Sequence, residues 1–194
     1  MGGPICLDFV NTLDDRNSEQ PKELLKSYLD LAGFAEDTGV LDESLVDRLF
    51  ARSQQNPEAA EEALGTAIQM RESMYAVFWA VVTRKPAPAG ELQVLNAYVK
   101  EAAQHVSLVA GRGHFEWRFD TRLIDFDSPL WPIARSAGEL LASDQVQYVR
   151  ACASKTCEWL FLDESKNHGR RWCDMNKCGN RAKVKRFYGR NKEA

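Results

Sequence analysis

The chain has 194 residues, of which 44% are hydrophobic and 27% charged, and its net charge is −3. That length supports one good core, or a core with a small satellite, and the composition excludes wholesale disorder. The opening MGGPICLDFV lacks the order of a secretory signal and no apolar run is long enough to span a bilayer, so a soluble cytoplasmic protein without membrane association is expected.

The charge is unevenly spread. Residues 1–149 carry 13 basic against 23 acidic side chains, whereas residues 150–194 carry 12 against 5. An acidic body with a basic C-terminal module suggests that the module faces a polyanion, although a solvated basic tail has the same count.

In chain order, Leu7, Val10 and Leu13 stand among polar residues and lead into the loop-like run Asp14-Asp15-Arg16-Asn17. Asp8, Asn11 and Arg16 form a candidate polar cluster for a small ligand. Capping or buried hydrogen bonding is the commoner role for such groups. From Leu24 to Ala35 the spacing predicts a helix closed by Gly39, and Asp42 opens another through Phe50. Asn56-Pro57 starts the longest helix, to Thr83, whose second half MYAVFWAVV is apolar nearly all round and belongs at the centre of the body. Met70 and Met74 there read as core rather than as a ligand pair.

After the turn RKPAPAG, Glu91 to His105 reads as a helix. The period then changes. Residues 106–110 and 115–119 flank Gly111-Arg112-Gly113, and Phe115, Trp117 and Phe119 alternate with charged residues, as in a β-hairpin. His105 and His114 are not spaced as a metal pair. Ser128 is a candidate N-cap for a helix over Leu130 to Ala142, and residues 144–151 read as a strand or a short linker.

The densest chemistry lies between Cys152 and Cys178. Cys152 and Cys157, then Cys173 and Cys178, form two pairs with four residues inside each and fifteen between them. Four thiols so placed suit one tetrahedral Zn²⁺, and in a chain that reads as intracellular they favour metal over disulfides. Four cysteines close the coordination sphere, so the zinc is read as structural rather than catalytic. Trp159 to Asp163 is strand-like, Arg170-Arg171-Trp172 offers a return strand, and Asn167-His168-Gly169 a turn between them. The following GNRAKVKRFYGR reads as a helix whose stripe of Val184, Phe187 and Tyr188 would dock on Trp159, Phe161 or Trp172. Arg181, Lys183, Lys185, Arg186 and Arg190 lie away from or beside that stripe.

Cys178-Gly179-Asn180-Arg181, preceded by FLDES and Arg-Arg-Trp-Cys, resembles the CGNR zinc finger of bacterial regulators. LDFVNT at Leu7 to Thr12, with Arg16 after it, resembles the start of the ABATE domain that accompanies this finger. The resemblance implies a stress-induced transcription regulator with an α/β body, and zinc ligands Cys152, Cys157, Cys173 and Cys178. It also implies a finger that binds DNA.

The expected fold is α+β. A mainly helical body with a small β-hairpin (residues 1–145) would precede a treble-clef-like four-cysteine zinc finger (residues 146–194) that packs against it. The expected function is transcriptional regulation through double-stranded DNA, with Arg170, Arg171, Arg181, Lys183, Lys185, Arg186 and Arg190 as contacts. The body would dimerise or sense a small-molecule effector. A zinc-stabilised protein- or RNA-interaction module is the alternative. No enzyme is expected, because no nucleophile constellation, phosphate loop or open metal site is present in the sequence.

Overall fold

The computed structural model describes residues 3–120 and 124–190, with side chains of the last helix described only in part. The long central helix α4 (Pro57–Thr83) organises the body. Asn56 caps it by accepting from Ala59 N, Pro57 needs no amide partner in the first turn, and Arg84 ends it in a left-handed conformation at φ 55°. Met70, Met74, Val77 and Phe78 are buried along it, so both methionines are core. Around α4 pack α1 (Ile5–Val10), α2 (Tyr28–Asp37), α3 (Glu43–Gln55), α5 (Ala89–Gln104) and α6 (Leu130–Leu141).

Local chemistry explains most of the boundaries. Ser27 and Asp30 form a reciprocal capping box that starts α2 at Tyr28, and Gly39 follows its end at φ 70°. The helix therefore begins four residues later than the apolar spacing suggests. Leu24 instead follows a minimal two-stranded pairing of β1 (Leu13–Asp14) with β2 (Lys22–Glu23), and is exposed. Asp42 caps α3 through Leu45 N. Ser128 does not cap α6. Its hydroxyl accepts from Asp125 N and donates to Asp125 Oδ1, closing the turn before the helix.

The hairpin of β3 (Val106–Ala110) and β4 (Phe115–Phe119) forms with Val106 opposite Phe119 and Ala110 opposite Phe115. Its base joins the core, and its outer half stands in solvent. The third antiparallel pair, β5 (Val149–Ala151) with β6 (Leu160–Leu162), lies against α1 and α4. Residues 144–148 form a 3₁₀ turn leading into β5. Here the sequence expectation fails. β6 pairs backward with β5 across the first cysteine loop, and residues 170–172 form no strand; they return only as far as one bond from Ala153 N to Arg171 O.

α1 is short but wholly committed to the interior. Cys6, Leu7, Phe9 and Val10 are each at most 1% exposed, wedged between α4, α6 and β6. Burial pushes the Cys6 thiol up to about 12, so it remains a neutral core side chain. Leu160 and Leu162 of β6 belong to the same apolar cluster. The strands that carry the cysteine loops are thus part of the body's core.

Candidate metal centre

Two loops bring the four thiols together. The first bridges β5 and β6 and carries Cys152 and Cys157. The second carries Cys173 and Cys178, and ends in a single π turn over Met175–Gly179 that runs straight into α7 (Asn180–Arg190). Asp174 starts that turn by accepting from Asn176 N and Lys177 N, and Gly179 N closes it onto Asp174 O. All four Sγ atoms lie within 4.8 Å of one another, with Cys157–Cys173 at 3.6 Å and Cys173–Cys178 at 3.7 Å. Tetrahedral Zn–S bonds of about 2.3 Å place sulfurs roughly 3.8 Å apart, so the constellation fits one Zn²⁺.

Without a cation Cys152, Cys157 and Cys173 compete for protons. Hydrogen bonds from Cys157 and Cys173 push Cys152 down, and the same bonds push those two up. A divalent ion lets all four ionise together. Trp159 and Trp172 pack on the thiols, and among the described residues these with the cysteines make up the local apolar cluster. Four thiolates fill the sphere and leave no open position, so the zinc is structural.

The signature residues serve this centre. A Cβ on Gly179 would meet Met175 Sδ at 2.5 Å and Trp172 Cδ1 at 3.3 Å, so a larger residue forces a neighbour aside. Asn180 Nδ2 donates to Asn176 O across the π turn. Arg181 Nη2 donates to Cys178 Sγ at 3.3 Å, and the same guanidinium sits 3.7 Å from Asp15 of the body. Arg181 thus touches the metal site, the body and solvent.

The other expected basic contacts divide into two sets. Arg170 is exposed but tied to its own module: its guanidinium donates to Trp172 O and Cys173 O and stacks over Phe161 at 4.7 Å. Arg171 lies over Trp172 at 5.5 Å and is exposed. Lys183 and Lys185 are exposed on α7, while the side chains of Arg186 and Arg190 fall outside the described ones. The docking expected for α7 does not occur, because Val184 and Tyr188 are 53% and 64% exposed; Phe187 is likewise outside the described side chains. The helix leaves the zinc with Val184 and Tyr188 more than half exposed.

Of Asp8, Asn11 and Arg16, the first two line one cleft and Arg16 does not. Asn11 is buried and makes a two-way pair with β6, accepting from Leu160 N at 2.9 Å and donating to Leu160 O at 2.8 Å. Arg16 pairs with Glu72, donates to Val10 O at 3.2 Å and stacks 3.8 Å from the Tyr75 ring. Asp8 and Asn11 both line the cleft of about 450 Å³ between α1 and the finger, together with Phe161 and Arg170. Burial pushes the Asp8 carboxyl above the ordinary range.

Two features escaped the sequence reading. Arg71 is 2% exposed and forms a bidentate pair with Glu23 at 2.6 and 2.7 Å, with further bonds to Glu72 and Thr12. Burial alone would raise the Glu23 and Glu72 carboxyls. Hydrogen bonds and charge from Arg71 at Glu23, and from Arg16 and Arg71 at Glu72, outweigh it and hold both below the usual range. A lone arginine amid MRESM carries no local mark of such a partner set. The second is Asp163, fully buried, which accepts from Ser165 N, Ser165 Oγ and Arg170 N and so builds the turn over residues 163–170. His168 Nδ1 donates to the Asp163 carbonyl at 2.7 Å, and its ring stacks on Tyr148 at 3.8 Å. An acid ending the apolar run WLFLD was the available signal.

Comparison with known families agrees with this geometry. A family model named ABATE, described as "Putative stress-induced transcription regulator", matches residues 3–144, and the CGNR zinc finger model matches residues 148–191. No curated protein matches the chain. Residues 3–144 make up most of the sequence and the four thiols lie inside the second match, so the chain belongs to the ABATE family and carries a CGNR zinc finger at its C-terminal end.

Proposed function

We propose that this chain is a cytoplasmic DNA-binding transcriptional regulator, built as a body over residues 1–145 and a finger over 146–194. One observation carries the reading: α7 starts on the metal centre, leaves the body, and holds Lys183 and Lys185 in solvent at the end of a module rich in basic residues. The acidic body repels a polyanion and leaves that helix as its approach surface. Phosphate contacts fall to Arg171, Arg181, Lys183, Lys185, Arg186 and Arg190. Arg170 contributes by holding the second cysteine loop, with its charge near the same face. A small-molecule effector of the body would enter the cleft beside Asp8 and Asn11; Arg16 joins α1 to α4 nearby through Val10 O and Glu72.

Regulation rather than catalysis is the coarser reading the family matches support, since neither family is an enzyme family. The exposed Val184 and Tyr188 favour one second reading, a helix that docks on a protein or RNA partner. A gel-shift salt series with random duplex DNA separates the two. Retardation with a log–log slope of roughly −5, close to one unit lost per charge removed at Lys183 or Lys185, supports DNA. No retardation at low salt overturns it.

A further inference from the structure

The hairpin β3–β4 is the one long strand pair standing mostly outside the core among the described residues. An isolated pair of strands is marginal in water; three or more with an apolar face are the stable minimum. Phe115 is 69% exposed, Trp117 60% and Leu108 54%, and the register puts all three on the same face. Within the hairpin, Gly111 N bonds His114 O and Asp120 N bonds His105 O. Alternation along an antiparallel ladder then turns the backbone N–H and C=O of Phe115, Trp117 and Phe119 away from β3, toward the outer edge of β4. Among the described residues no strand pairs with that edge.

The edge strand reads Phe115-Glu116-Trp117-Arg118-Phe119. Turned through a two-fold axis at Trp117, it is complementary to itself. Phe115 falls opposite Phe119 of a second copy, Trp117 opposite Trp117, and Glu116 opposite Arg118 in both directions. The outward-facing backbone groups sit at the hydrogen-bonded positions. The charged pairs then occupy the non-hydrogen-bonded positions, where Cα atoms approach to about 4.5 Å and side chains are closest. Glu116, which pairs with His114 at 2.9 Å and with Arg118 at 3.7 Å, is exposed like Arg118, and both can turn toward a second copy, while Arg135 covers one side of Trp117 at 4.6 Å. β3 has no such complementarity, because a two-fold axis at Leu108 sets Ser107 against Val109.

We infer that two copies of this chain associate through the outer edge of β4, forming a four-stranded sheet in the order β3–β4–β4–β3 with Glu116 and Arg118 as reciprocal ion pairs. The partner is a second copy, and the interface is isologous, as two-fold symmetry requires. Five residues of edge and two aromatic side chains cover less than the roughly 800 Å² per partner of a standard interface, so the dimer is expected to form in the micromolar range. This assembly does not depend on DNA binding; a protein that never binds DNA would still form it.

The test uses the full zinc-loaded chain in sedimentation-velocity runs over a concentration series. Wild type should show a concentration-dependent monomer–dimer equilibrium. Glu116→Arg and Arg118→Glu, each alone, set like charges opposite one another twice and should raise the dimer Kd by about tenfold or more. Mixed together, those two variants place arginine against glutamate at both positions and should recover a heterodimer of wild-type strength. Their melting temperatures should match wild type, which separates lost pairing from lost folding. Three results overturn the inference: a wild type monomeric to about 1 mM, single variants that dimerise as wild type does, or a mixture that fails to associate.

Discussion

The body and the finger are held together by different means, although they share a strand pair. The body closes around an apolar cluster drawn from six helices. Among the described residues the finger's own apolar cluster is four cysteines and two tryptophans, and further order comes from turns such as the one Asp163 builds. A segment of that size cannot bury enough apolar surface to fold alone, so a metal replaces the core. The line between the two regimes does not follow the chain. Val149, Leu160 and Leu162 sit in the body's cluster while the cysteines beside them sit in the metal's.

The largest expected effect breaks the finger alone. Structural zinc contributes on the order of 10–16 kcal/mol in zinc-finger peptides, far more than two tryptophans supply. Chelation, or Cys157→Ser, should release zinc to a metallochromic dye. Amide protection should disappear over residues 152–158 and 164–190 but persist at Leu160, Leu162 and along α4. Loss of protection in α4 at the same chelator concentration would mean that the two regions fold as one.

The next effect breaks the body alone. Arg71→Ala removes the centre of a buried ion network and should lower stability by about 3 kcal/mol in urea unfolding at neutral pH, with zinc retained. Glu23 and Glu72 titrate below their ordinary values in the folded protein, so their contribution is present above pH ~4.3 and is lost as pH falls through the depressed values. The deficit of Arg71→Ala should therefore shrink in acid.

Asn11→Ala sharpens the boundary instead. It leaves Leu160 N–H and C=O unpaired in the interior and should cost about 2 kcal/mol. Limited proteolysis should then cut near residues 152–158 in the zinc-loaded protein, which wild type resists. The smallest change is at Asp8, whose folded carboxyl titrates above its ordinary value. The ionised form opposes folding at neutral pH, and the opposition fades as pH falls toward the unfolded value. Asp8→Asn should raise stability by about 0.5 kcal/mol at pH 7, since the site is partly solvated, and the gain should close near pH ~4.

What could be read from the sequence was local. The cysteine spacing fixes a metal site because each loop is short. The alternation at Phe115 to Phe119 fixes a strand because the period is two, and Asn56-Pro57 fixes a helix start. What could not be read joins distant segments. Arg71 finds Glu23 across 48 residues, and Asn11 finds Leu160 across 149. The backward pairing of β6 with β5 was hidden for a related reason. Residues 149–151 and 170–172 are both short runs next to a cysteine, and only Tyr148, Asn11 and the body's apolar surface decide between them. The exposure of α7 was missed because periodicity shows that a stripe exists, not that anything covers it.

The amide of Asn11 has a consequence for distance. By bonding both polar groups of Leu160 it acts as one rung of a third strand, and it clamps the cysteine loops to α1 in a single orientation. Between the clamp and α7 the chain is held by the turn Asp163 builds and by the four thiols. In a pair of chains joined at β4, the separation of the two basic helices is then a constant of the fold, like the gap of a fixed calliper. A target with two half-sites would have to match that gap, and inserting half a helical turn of DNA between them would place the second half-site on the wrong face.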